Sequence, residues 1–208
     1  MPSRRCVAWS TPEPFPGGRA EFVEVDLGTS RLEARGVAIG GVPLPYRLDY
    51  ELETTDAFAT ERLAVSVRAD GWSRALEMRR RPSGQWEANW REQGAPSAAV
   101  PAPRADLAEL AGALDVDVSL SPLFNTMPVL RHGLLRAGGP IDFVMAWISV
   151  PDLCVHRSAQ RYAFVRVDGD DRSVVRFESL SGDGFAAEIT YDAAGLVLDY
   201  PGIGARLR

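Results

Sequence analysis

The chain has 208 residues, 46% hydrophobic and 25% charged, with 19 Gly and 15 Pro. That is enough for one substantial core built from short elements joined by turns, and it argues against a long-helix bundle. Its 28 acidic residues outnumber 23 basic ones, the positive side being carried by Arg, for a net charge of -5, so no global positive field draws it to nucleic acid. No stretch approaches the roughly 18 apolar residues of a membrane-spanning helix. The N-terminus also lacks the apolar run and small-residue cleavage pattern of a secretory signal, so a soluble cytoplasmic protein is expected.

Residues 2–20 hold Pro2, Pro12, Pro14, Pro16, Gly17 and Gly18, which read as a flexible N-terminal lead-in with a short strand at residues 6–9. Period-two alternation predicts strands over residues 21–28, 42–53 and 60–68; in the second, Tyr46, Leu48, Tyr50 and Leu52 share one parity and Arg47, Asp49 and Glu51 the other. A turn is expected at Asp70-Gly71. A hairpin over residues 73–81 and 85–91 is expected to turn at Pro82-Ser83-Gly84. Trp72, Trp86 and Trp90 either close the core or line a groove.

Residues 93–105 read as a loop, and a short helix near residues 106–111 should end at Gly112. A strand follows at residues 115–120, with Asp115, Asp117 and Ser119 on one side and Val116, Val118 and Leu120 on the other. Further strands are expected at residues 127–136, 141–151, 154–167, 173–178, 184–191 and 196–200, separated by turns rich in Gly and Asp. With no long amphipathic helices between them, the expectation is a mainly β fold: a single antiparallel barrel-like or strongly curved sheet domain over residues 1–208, with one or two short helices.

No motif dictates chemistry. Asp115 and Asp117 could share a cavity, but their spacing does not establish an acid/base pair. His132 and His156 are the two histidines and do not form a HExxH segment, so no metal site is expected. No Gly-x-Ser-x-Gly segment supports a nucleophilic serine, and Gly36, Gly40 and Gly41 build no phosphate loop. Cys6 and Cys154 read as two reduced thiols. Asn125, Thr126 and Arg131, with His132, could form a polar patch for a phosphate or sugar hydroxyl, or could staple a loop. Met145 and Trp147 lie in an apolar segment that serves as core or as the wall of a cavity.

The run DVDVSLSPLFNTMPVLRH at residues 115–132 resembles the segment DVDLSxSPxTNTLPIRR of the bacterial family described as “putative glycolipid-binding”, formerly a domain of unknown function. Asp115, Asp117, Ser119, Ser121, Pro122, Asn125, Thr126, Pro128 and Arg131 carry the match, which extends over about residues 20–206 and includes Tyr200-Pro201-Gly202. Phe124, Met127 and His132 depart from the pattern. The resemblance implies an antiparallel, barrel-like fold with a cavity and transfers no catalytic residue.

The functional expectation is therefore noncatalytic binding of a glycolipid or other amphipathic molecule, without a cofactor. Asn125, Thr126, Arg131, Asp115 and Asp117 would meet the polar head, and Trp86, Trp90, Met145 and Trp147 would form the apolar wall. The alternatives are an enzyme using Asp115 or Asp117 as acid/base with Arg131 stabilising negative charge, and a structural or protein-interaction module.

Overall fold

A computed structural model describes residues 3–11, 18–169, 171–182 and 184–208. Among the described residues, fourteen strands form one sheet: β1 Ser3–Ser10, β2 Ala20–Leu27, β3 Leu32–Gly40, β4 Tyr46–Thr54, β5 Thr60–Ala69, β6 Trp72–Arg80, β7 Trp86–Gly94, β8 Asp115–Val118, β9 Ile141–Ile148, β10 Val155–Asp168, β11 Arg172–Ser179, β12 Ala186–Tyr191, β13 Val197–Tyr200 and β14 Gly204–Arg206. The spatial order is β7-β6-β5-β4-β3-β2-β1-β14-β13-β12-β11-β10-β9-β8. Every neighbouring pair is antiparallel except β8 and β9, which are parallel.

This order overturns the expected β-barrel or strongly curved sheet. The sheet is open, and its terminal strands β7 and β8 do not pair with one another. Closure needs a full ladder between first and last strands. Here β8 is four residues long, and β7 packs beside the 3-10 turn Leu107–Leu110. The two ends of the order still contribute to one hydrophobic core, which takes Trp86 from β7, Val116 and Val118 from β8, and Val23, Leu48, Val65 and Ile189 from strands between. Local hydrogen bonds join β5 to the start of β8, from Thr60 N–H to the Leu114 carbonyl at 2.9 Å and from Val116 N–H to Thr60 Oγ1 at 3.3 Å.

The hairpin strands follow from alternation: in β4, Tyr46, Leu48, Tyr50, Leu52 and Thr54 are buried while Arg47 and Glu51 are exposed. Two departures are instructive. Residues 32–40 carry no strand expectation, yet β3 forms there. Gly36 lies opposite Tyr50 and Gly40 opposite Tyr46, and an added Cβ would stand 2.1 Å from Tyr50 Cζ and 2.5 Å from Tyr46 Cζ. Each glycine leaves the space its cross-strand ring occupies.

Residues 127–136, expected as a strand, instead begin within α1, Thr126–Arg131, the one α-helix among the described residues, and continue in turns. A 3-10 turn, Pro122–Asn125, leads into it. Pro128 is tolerated because it falls in the first turn of α1, where a backbone N–H has no acceptor within the helix. Leu123, Phe124, Met127 and Val129 are all fully buried, an all-round apolar pattern that period-two reading cannot distinguish from a buried strand.

The helix expected near residue 106 is the 3-10 turn Leu107–Leu110, with Asp106 accepting from Ala108 N–H and Gly112 at φ +83°. The flexible lead-in is partly corrected by β1, while residues 12–17 lie outside the described residues. So do Asp170 and Asp183 in two of the expected turns. No helix among the described residues is long and apolar enough to cross a membrane.

Candidate functional site

Strands β8, β9 and β10 set Asp117 of the signature run on the wall of a cavity. The register sets Asp117 beside Trp147 and Trp147 beside His156, and sets Asp115 beside Met145 and Met145 beside Ser158. Side chains of one parity project to the same face. The cavity beside this face has a volume of about 520 Å³, within the range of small-molecule sites. Asp117, Ser119, Ser121, Asn125, Ser158 and Gln160 give it hydrogen-bonding groups, and Leu120, Trp147, Phe177, Phe185, Tyr200 and Ile203 give it apolar and aromatic surface.

The polar side is one connected network. Gln160 Nε2 donates to Asp117 Oδ2 at 2.8 Å and to Ser158 Oγ at 3.3 Å. Tyr162 Oη lies 2.7 Å from Asn125 Oδ1 and 3.1 Å from Gln160 Oε1, so its single proton has two competing acceptors. Asn125 and Gln160 are buried and Tyr162 fully so, which fixes them by mutual satisfaction. Aromatic packing backs the network: Tyr162 meets Phe177 edge-on at 5.3 Å, and Phe177 meets Phe185 and Tyr200 at 5.9 Å each.

Burial pushes the Asp117 carboxyl up to about 6; the Gln160 hydrogen bond opposes this and the neighbouring Asp115 adds to it, with no cation among the causes. Asp115 differs in its partner. Its carboxylate accepts both arms of Arg131, one at 2.7 Å and the other at 2.5 Å. Burial nevertheless dominates and raises the Asp115 carboxyl above its ordinary value, against the opposing effect of Arg131.

Arg131 also donates at 2.8 Å to the carbonyls of Ala57 and Phe58, whose φ values of +62° and +57° are unusual for residues with a side chain. The guanidinium thus ties α1 to β8 and to the strained 3-10 turn Asp56–Phe58. Its fork is committed to protein acceptors. His132 stacks on Phe143 at 5.0 Å, and with Arg131 and Asp115 it lines a separate recess of about 520 Å³. Burial, then Arg131, lowers the His132 pKa.

The structure therefore divides the sequence-derived residues. Asn125, Asp117 and Trp147 line one cavity. Thr126 is fully buried, with Oγ1 lacking a partner among the described residues, and Met145 is fully buried on the same strand face as Trp147. Trp86 and Trp90 lie at the far end of the strand order, their indole N–H groups donating to the Ala113 carbonyl at 3.1 Å and the Leu153 carbonyl at 2.9 Å. They pack the sheet's first edge strand. Leu120, expected to continue a strand, follows β8 at φ +63° and is 44% exposed at the cavity.

The sequence reading did not assign Gln160, Tyr162, Phe177, Phe185 or Tyr200 to the site. The alternation of Ser158, Gln160 and Tyr162 in β10 was the available signal. A second buried cluster steadies the cavity floor: Glu21 Oε1 accepts from Tyr50 Oη and from Ser121 Oγ at 2.6 Å each, while Arg19 pairs with Glu21 at 3.5 Å and donates to the Ser119 carbonyl. Burial raises the Glu21 carboxyl, opposed by Arg19, Ser121 and Tyr50. Among the described residues, no group of three or more His, Cys, Asp or Glu side chains is placed to hold a metal ion.

A search of curated proteins finds no match. Among solved structures, the chain resembles the crystal structure of a DUF1089 family protein from Pseudomonas aeruginosa, with 27% sequence identity and a TM-score of 0.67, covering 90% of this chain and 92% of that one. The family described as “Putative glycolipid-binding” matches residues 7–206, which takes in every strand from the middle of β1 to β14 and the whole cavity wall. The chain belongs to this family.

Proposed function

We propose that the protein binds an amphipathic molecule of glycolipid type in the cavity beside β8–β13 and does not transform it. The observation that carries this reading is the meeting, in one cavity of about 520 Å³, of an aromatic and aliphatic surface with the Asp117, Asn125 and Gln160 hydrogen-bonding groups. Apolar surface removed from water would supply affinity for a chain, and the fixed polar groups would orient a hydroxylated head. The family description supports the same reading. Arg131 contributes by holding α1 and Asp115 in place, so the head meets the amide, hydroxyl and carboxylate groups of the cavity wall, with His156 and Arg157 at its border.

The test is native mass spectrometry of gently purified protein, followed by solvent extraction and lipid identification. A stoichiometric amphipathic species is expected, and Trp147→Ala should lower its occupancy while the protein remains folded. Absence of any bound species, with no binding across a panel of single-chain glycosides and phospholipids, would sink the proposal. Turnover of a bound molecule, abolished by Asp117→Asn in a folded protein, would instead establish an enzyme.

A further inference from the structure

Resting on the reading of this cavity as a ligand site, the geometry points to a headgroup that carries a protonated amine among its hydroxyls, as an amino sugar does, docked against Asp117. Asp117 is a carboxylate held by one donor, Gln160 Nε2 at 2.8 Å on Oδ2. Among the described residues, Oδ1 accepts no hydrogen bond and no Arg or His forms an ion pair with this side chain. The contrast with Asp115 is sharp, since Arg131 satisfies both of that residue's oxygens.

Asp117 nevertheless lines the open cavity, where a ligand atom can reach it. A desolvated carboxylate without a cation gains most from a ligand that brings one, because the ion pair forms where water screens it least. A phosphate head would meet the opposite: Asp117 repels it, and Arg131 is already committed to Asp115, Ala57 and Phe58. Arg157 borders the cavity from an exposed position of opposite strand parity to His156 and Ser158.

The surroundings fit an ammonium on a hydroxylated ring. Trp147 is the cross-strand neighbour of Asp117, and its indole lies 5.5 Å from the His156 ring. An indole face beside a carboxylate attracts a cation through its quadrupole and accepts the apolar face of a sugar. Ser119 and Ser158 supply further acceptors for the remaining ammonium and hydroxyl protons. Asp117 is thus a specificity-determining residue within the cavity.

The experiment compares octyl glucoside with its 2-amino, 6-amino and 2-acetamido counterparts, each below its micelle concentration, by calorimetric titration of the full chain at pH 7. The expected result is that at least one amine binds about tenfold or more tightly than both neutral glycosides. Asp117→Asn should then bring the amine to within about twofold of octyl glucoside, and Asp117→Ser should do the same, each with an unchanged circular dichroism spectrum. If octyl glucoside binds and neither amine binds more tightly, the amine inference is overturned while the cavity reading stands. If none of the four glycosides binds, the amine inference is overturned, and the cavity reading falls with it when the wider panel of glycosides and phospholipids also fails to bind. Because the comparison among the ligands is made on the wild-type chain, it does not depend on how a variant folds.

Discussion

Replacing Asp117 by Asn should make the protein more stable at neutral pH, by an amount that depends on pH in a defined way. The Asp117 carboxyl rises from 3.8 to about 6 in the folded chain. At about 1.4 kcal/mol per pKa unit, that shift corresponds to at most about 3 kcal/mol; the side chain is partly open to the cavity, and water there reduces the figure.

The sign follows from proton affinity. The folded state holds this proton more tightly than the unfolded state, so the contribution is fully present below the unfolded pKa, near 3.8, and is lost as pH rises through about 6. Asn accepts the Gln160 hydrogen bond as the carboxylate does but cannot ionise. Wild type and Asp117→Asn should therefore have similar stability near pH 4, diverge between pH 4 and 6, and differ by a constant amount above about pH 7, with the variant more stable. Urea unfolding followed by tryptophan fluorescence across this range measures the difference, which includes the repulsion between Asp117 and Asp115 that the substitution removes. A difference that is flat from pH 4 to 8, or a wild type more stable than the variant at pH 7.5, would refute the reasoning.

Arg131→Met should destabilise the fold by about 3–5 kcal/mol, because it leaves Asp115 buried without its partner; adding Asp115→Asn should recover part of the loss, and additive single effects would deny the coupling. Gly36→Ala drives a methyl into the Tyr50 ring, which Glu21 and Phe124 hold in place, so a loss of about 1–3 kcal/mol is expected in the same unfolding assay. Cys6 is exposed and Cys154 is buried, with burial raising the Cys154 thiol. A thiol reagent should therefore modify one equivalent in native protein at pH 7.5 and two after denaturation; rapid modification of both in the native state would contradict the packing of Cys154.

The sequence alone determined the parity of most strands, since a period of two assigns Tyr46, Leu48, Tyr50 and Leu52 to the buried face whatever the partner strand is. The run at residues 115–132 also pointed to the family. What the tertiary structure decided was non-local. Alternation does not say which strands become edges, so the expected barrel proved to be an open sheet ending at β7 and β8. Nor does an apolar run say whether it coils or extends: residues 126–131 are helical, with Thr126, Met127, Pro128 and Val129 buried and Arg131 closing the turn onto Asp115.

The division of labour between two carboxylates of equal parity was likewise invisible in the sequence. Asp115 and Asp117 are two positions apart and identical in type, and only distance separates them: a guanidinium lies against one, and a single amide with an open cavity lies against the other. Burial and partners set the charge and role of an ionisable group, and those come from chain segments far away in sequence.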